Sequence, residues 1–418
     1  MTASQGSILV KVFVVYALGV LGAMTVSEVV PQVSAIAREF HPRSPAVIGL
    51  VISLPSLVVA IGALATGFLV DWFGDKLVLM VGAEVTVLGD ICVMLAPNLT
   101  VLLAGRIISG IGYVLIAVSA ITLLIRITAG KQRTVAMAIW STFVPVSFIL
   151  PFLAAGAVAA AGDWRYALGG HALVSVIFLG LGLMLLPSRG EGEFQPSRTS
   201  SLGKVVRSPW PYLLGLSFTG NAFLQAGITS SLASFLHAHY GVSDLVANNF
   251  NIVGMLMTIV GCLVMGNLLN RGIPQLAIAG SALLLVAVPG FVLFGFPIGF
   301  QASIACSWVC MFGGGMLAGM WALLPSVAPT PNGMGATSGL VTQFTLLGVL
   351  LSSPVFFGAQ AASVPGPMLI TLGAGLLVCL FALPIWVRNA RPDEIAAVGS
   401  RRLFGRQKPA SNMPLDRV

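Results

Sequence analysis

The chain has 418 residues, of which 57% are hydrophobic and 8% charged, where an ordinary soluble domain carries about 25% charge. That scarcity excludes a water-soluble fold with a polar coat, and repeated apolar runs of about 20 residues have the length that crosses a bilayer. The net charge of +8 raises nucleic acid as a partner, but its distribution, counted below, reads as membrane topology and excludes that class.

In chain order, Met1–Ser7 has no basic leader region and no cleavage site, so the first apolar run is expected to be a retained span. Twelve spans are predicted, at about 11–34, 46–70, 77–97, 100–125, 134–160, 166–187, 210–235, 245–269, 274–295, 298–325, 333–360 and 366–387. The longest interruption, Pro187–Pro209, carries Arg189, Glu191, Glu193, Arg198, Lys204 and Arg207 among Gly, Ser and Pro, the composition of a flexible link. The expected organisation is an all-α membrane protein with a six-helix bundle over 1–187, a cytoplasmic linker over 188–209, a second six-helix bundle over 210–387 and a basic tail over 388–418. The five cysteines lie in apolar runs without His or carboxylate ligands beside them. No metal and no cofactor is therefore expected.

Orientation follows from Lys and Arg. With the N-terminus inside, 17 of the 21 basic residues fall on the cytoplasmic side; Arg38, Arg43 and Arg165 fall outside and Arg106 lies within a span. Both termini are thus expected in the cytoplasm, with Arg401, Arg402, Arg406 and Lys408 near anionic lipid. The halves echo one another: span two ends Gly67-x-Leu69-x-Asp71-x-x-Gly74 and span eight ends Gly266-x-Leu268-x-Asn270-Arg271-Gly272. Such a repeat is what a duplicated transporter predicts.

Three stretches carry a resemblance. They are Gly67-x-Leu69-x-Asp71-x-x-Gly74-x-Lys76 after span two, Arg106-x-x-Ser109-Gly110 in span four and Gly162-Asp-Trp-Arg165 before span six. Together with twelve spans and a mid-chain link, the sequence resembles the major facilitator superfamily of secondary transporters. It departs from that pattern at Trp72 and Asp75, where basic residues are usual, at Ser109 in place of Gln, and in a fifth span with Pro145 and Pro151 but few glycines. The Gly-Asp-Trp-Arg turn and Gln343 also look somewhat like cyanate-permease-type members.

Inside the membrane an ionised side chain marks function by default. Arg106 is the strongest such signal, about 10 Å deep by helical rise. Glu28 and Asp90 count to a similar depth, and the resemblance favours Glu28 as the partner; Asp90 is expected to reach water or headgroups. Glu84, deeper in span three, is a second candidate proton site. Asn221 and Gln225 form an i,i+4 stripe in span seven, suited to hydrogen-bond a solute or to hold helices together; Tyr16, Thr25 and Gln343 are further cavity candidates. No catalytic constellation, phosphate loop or complete metal-ligand set is present, so the chain is not expected to be an enzyme. The resemblance further implies that Asp71 pairs with a nearby cation to lock the halves together. Trp72 removes the usual one, leaving Lys76 or Arg133 as substitutes or a weakened lock.

The expected function is secondary transport, across an inner membrane and by a monomer, of a small organic metabolite or amphipathic compound exported against protons. The alternatives are proton-coupled uptake of a small organic anion and a membrane protein that binds without transporting.

Overall fold

The computed structural model describes residues 3–41, 45–188, 201–242, 244–296, 298–330 and 333–361, and position 373. The predicted twelfth span, most of the linker and the basic tail lie outside these residues. The described chain is helical: α1 (Ala3–Ser27), α2 (Val33–Phe40), α3 (Pro45–Phe73), α4 (Asp75–Met94), α5 (Leu99–Ile127), α6 (Gly130–Trp140), α7 (Phe143–Ala161), α8 (Arg165–Leu185), α9 (Ser201–Arg207), α10 (Pro209–Tyr240), α11 (Asp244–Asn270), α12 (Gln275–Gly295), α13 (Phe300–Ala318), α14 (Leu324–Val327) and α15 (Met334–Ala361). Apolar runs of this length in a bilayer must satisfy every backbone N–H and C=O within the segment, and a helix does so.

Among the described residues nine helices are long and apolar enough to cross a membrane, and ten if α6 and α7, bent by 40°, form one span. The protein is therefore an all-α, multi-span membrane protein. The 32-residue α10, predicted as span seven, is long enough but falls outside the nine. Its Ser217, Thr219, Asn221, Gln225 and Thr229 dilute its apolar character.

Two of the predicted spans are broken. Span five breaks at Ser141–Thr142, ahead of Pro145. That proline sits in the first turn of α7, where a helix has no intrahelical use for the missing N–H. Pro151 and Pro289 lie inside α7 and α12, and Pro55 inside α3. Span ten breaks after Gly313–Gly315, at a 3-10 turn over Gly319–Leu323. The two breaks touch: Ser141 Oγ donates to Ala318 O at 3.1 Å.

Two packing contacts position everything below. The helices α4 and α5 approach backbone to backbone, because a Cβ at Gly89 would strike Ser109 and one at Gly112 would strike Thr86. Small residues at such crossings are what membrane helices use in place of a hydrophobic drive. The second contact joins the two halves of the chain. A Cβ at Gly67 on α3 would strike the backbone of Gly335 and Ala336 at the start of α15.

Candidate functional site

The centre of the site is Arg106, the eighth residue of α5 and wholly buried. A guanidinium taken out of water needs its donors filled. Nη1 donates to Glu28 Oε1 at 2.7 Å, Nε donates to Val51 O on α3 at 2.9 Å, and Nη2 donates to Thr25 O on α1. Glu28 follows the last residue of α1, its N–H still bonded to Met24 O at 2.8 Å. Ser27 Oγ ties the same helix end to Ser147 O on α7 at 2.7 Å. Arg106 thus pins the end of α1 to α3 and α5.

The other oxygen of Glu28 faces a histidine. His171 Nδ1, on α8, lies 2.6 Å from Glu28 Oε2 and 2.9 Å from Asp90 Oδ2 on α4. His171 Nε2 sits 3.0 Å from Leu21 O. Exposure is 0% for Arg106 and Asp90, 2% for Glu28 and 4% for His171. The approaches to Nδ1 are close yet off-line: Glu28 Oε2, both oxygens of Asp90 and His171 Nδ1 have no well-aligned hydrogen bond. Four helices therefore deliver two carboxylates, one guanidinium and one imidazole to a single dry point.

Asp90 is, with Glu28, a depth-matched candidate partner of Arg106 in the sequence, whereas His171 is not singled out there. Asp90, expected at the surface, is buried, because the α4–α5 approach turns it toward Arg106's layer. Depth was the available signal: the two residues count to nearly the same level as Arg106 from their own helix ends. Glu84, by contrast, is exposed on the outward side of α4. The structure does not bring it to the cluster, so the predicted alternative proton site is not part of this arrangement.

The remaining candidates sit elsewhere. Asn221 Nδ2 donates to Gly314 O on α13 at 3.2 Å, its Oδ1 is without a partner, and Gln225, whose Nε2 is likewise unpartnered, lies against the same glycine. Tyr16 and Thr142 hydroxyls bond at 2.7 Å, joining α1 to the break between α6 and α7. Thr25 is buried, and Gln343 is half-buried on α15.

At the opposite end of the spans, the turn at Gly74 takes φ +94°, a backbone conformation glycine adopts without strain. Asp71 Oδ1 and Oδ2 accept from the backbone N–H groups of Gly335 and Ala336 at 2.8 and 2.9 Å. The carboxylate thus caps the N-terminus of α15, whose free N–H groups and dipole attract an anion. Lys76 and Arg133, the expected substitutes for the missing cation, are spent elsewhere. Lys76 Nζ donates to Leu186 O at 2.7 Å, and Arg133 Nε donates to Thr128 O at 3.0 Å. Asp75, which stands where a basic residue is usual, is buried and paired with Arg126 at 2.7 Å.

Near the other membrane face, Glu39 on α2 takes a fork from Arg165, with Nη2–Oε1 at 2.5 Å and Nη1–Oε2 at 3.0 Å, and a bond from Trp164 Nε1 at 2.7 Å. The Arg165 and Trp164 donors hold the Glu39 carboxyl below its ordinary 4.5. A surface cavity of about 430 Å³ beside this clasp is lined by Arg38, Glu39, Asp163, Trp164 and Arg165 and shares no residue with the buried cluster.

Comparison with known proteins follows this geometry. Residues 12–353 match the Major Facilitator Superfamily. The arabinose-proton symporter of Escherichia coli K12 is 33% identical over 157 residues, 38% of this chain and 33% of that protein, so the match spans a third of the relative's length. Among solved structures, the fucose:proton symporter FucP of E. coli, in its outward conformation, superposes with a TM-score of 0.74 at 15% identity, covering 91% of this chain and 99% of that one. The human organic anion transporter MFSD10 gives a TM-score of 0.71 at 16% identity, covering 90% and 99%. These likenesses show the all-helical fold. The chain belongs to the Major Facilitator Superfamily, and it is a secondary active transporter of a small organic solute, not an enzyme.

Proposed function

We propose that the protein takes up a small, polar, uncharged organic solute together with protons, by alternating access between two six-helix bundles. The observation that carries this reading is the buried Arg106–Glu28 pair with Asp90 and His171 against it. A buried ion pair is weak evidence for stability, and ionisable groups in membrane spans serve ion movement by default. The symport activity printed for the arabinose and fucose relatives supports uptake over the export expected from apolar and aromatic residues alone. An uncharged solute is favoured over the organic anion of the alternative, because Arg106 already gives its charge to Glu28. Asn221 Oδ1 and Gln225 Nε2, buried or half-buried acceptor and donor on α10, are the groups suited to a solute's hydroxyls.

The basic-residue count supports placing the α3–α4 turn in the cytoplasm. On that placement Asp71 and the start of α15 close the inner side, and the fold is that of a carrier shut toward the cytoplasm. Purified protein in proteoliposomes tests the reading, with labelled L-arabinose, L-fucose, D-xylose and lactate as probes. Acid outside should drive accumulation of a sugar and not of lactate. Sugar expelled toward the acid side would replace uptake by antiport.

A further inference from the structure

We propose, resting on the proton-coupled reading above, that the coupling proton is held jointly by Glu28, Asp90 and His171. On this account α4 and α8 take part in coupling as well as α1 and α5, and one proton moves per cycle.

His171 Nε2 lies 3.0 Å from Leu21 O, and a carbonyl only accepts, so Nε2 carries a hydrogen. In the neutral ring Nδ1 is then an acceptor. It faces two carboxylate oxygens at 2.6 and 2.9 Å, which are acceptors too. Three acceptors with no hydrogen among them repel at such distances. One proton must lie there, on the ring or on a carboxyl group.

Charge gives the same count. Arg106 is always cationic, and two ionised carboxylates with a neutral imidazole leave the buried group one unit negative. A single proton makes it neutral. A second would leave a net charge in a site of 0–4% exposure, where an uncompensated ion costs several kcal/mol. Among the described residues no other titratable group adjoins the cage. On α4, Glu84 points outward; α7 carries no ionisable residue, and α5 contributes Arg106.

A bound cation is the competing occupant, since the same three atoms lie within 4.8 Å of one another. Ligands around a tetrahedral zinc at about 2.0–2.1 Å stand about 3.3 Å apart. Separations of 2.6 and 2.9 Å are those of a shared proton. A proton on Nδ1 has both Glu28 Oε2 and Asp90 Oδ2 within reach. The step balances simply: water on the acidic side gives the proton to the cage, and water on the other side receives it when the carrier reopens.

The test uses full-length protein labelled with ¹⁵N-histidine in lipid nanodiscs. Of the four histidines, His171 is identified by the signal missing in H171Q. A shared proton predicts one titration step at Nδ1, with Nε2 protonated throughout. D90N and E28Q should each move its midpoint by about one pH unit or more, the effect of removing a charge in contact, while E84Q leaves it in place. A midpoint indifferent to both variants overturns the cage. So does a change in the His171 signal on adding Zn²⁺ or Na⁺ at fixed pH, which would make it a cation site.

In proteoliposomes, H171Q is assayed with whichever sugar the wild type accumulates. The ratio of acid-driven accumulation to counterflow should fall. An unchanged ratio overturns the role of His171 and leaves proton coupling itself standing. A wild type indifferent to the pH gradient overturns coupling, and the titration then decides on the shared proton alone.

Discussion

The two halves of the chain treat polarity differently. In the first, four ionisable side chains from α1, α4, α5 and α8 meet at one buried point. In the second, the described charged residues and histidines (Lys204, Arg207, His237, His239, Asp244 and Arg271) all lie at or beyond helix ends. Its span interiors carry amides and hydroxyls instead, with Asn221, Gln225 and Gln343 among them. An ion in a bilayer core is costly unless neutralised, and a neutral amide much less so. The difference teaches a division of labour: the first half is built to hold and release charge, the second to make neutral hydrogen bonds.

The largest effect should come from removing the cation. Arg106→Met leaves Glu28 buried without its cation, and breaking a buried pair costs about 3–5 kcal/mol. Thermal unfolding in detergent should drop well below wild type, while Asn221→Ala in the second half should lie close to it. Equal losses would dissolve the contrast.

Next comes the junction between the halves. Asp71→Asn keeps the side-chain volume but removes the charge from the α15 N-terminus, an interaction of about 0.3–1 kcal/mol, up to about 2 when partly buried. Spin-label distances between the α3–α4 turn and the start of α15 should broaden toward separation. Trp72→Arg should change them little, because the helix end already occupies Asp71; a strong shift to the closed state on restoring that cation would show that the helix end is an inadequate substitute.

A smaller effect is expected from Asn221→Ala and Gln225→Ala. They should raise the KM of the transported sugar and leave the accumulation ratio at saturating sugar as in wild type. A loss of coupling would mean that the second half also carries the ion.

The smallest concerns the Glu39–Arg165 clasp, which is largely exposed and so contributes little. Its sign is fixed. Glu39's carboxyl is held below 4.5 in the fold, so its contribution is present above that pH and is lost as pH falls through the lowered value. Glu39→Gln should lower stability slightly at neutral pH and leave it unchanged below the lowered value, so that the acid limb of the stability profile flattens.

Much of this was legible in the sequence. The apolar runs fixed the class of the protein, and helical rise put Arg106 and Glu28 in one layer. Asp71 stood out by its place in the turn. What could not be read was rotation. Asp90 and Glu84 lie six residues apart on one helix, and periodicity alone does not say which faces the protein, since span three is apolar on every side. The packing of Gly89 on Ser109 decides it. His171 was hidden for another reason: its partners lie on or at the end of two other helices, α1 and α4, far away in sequence. The partner of Asp71 was missed because a helix N-terminus does the work of a cation without any basic residue to mark it.

The central claim is that the buried charges of the first half hold the proton that drives transport. Its most direct measurement is acid-driven sugar accumulation against sugar counterflow in proteoliposomes, for wild type and Glu28→Gln. The account predicts that the variant loses accumulation out of proportion to counterflow, since the solute path remains while the proton site is altered. A Glu28→Gln protein that accumulates sugar up to the wild-type level under the same pH gradient would contradict it.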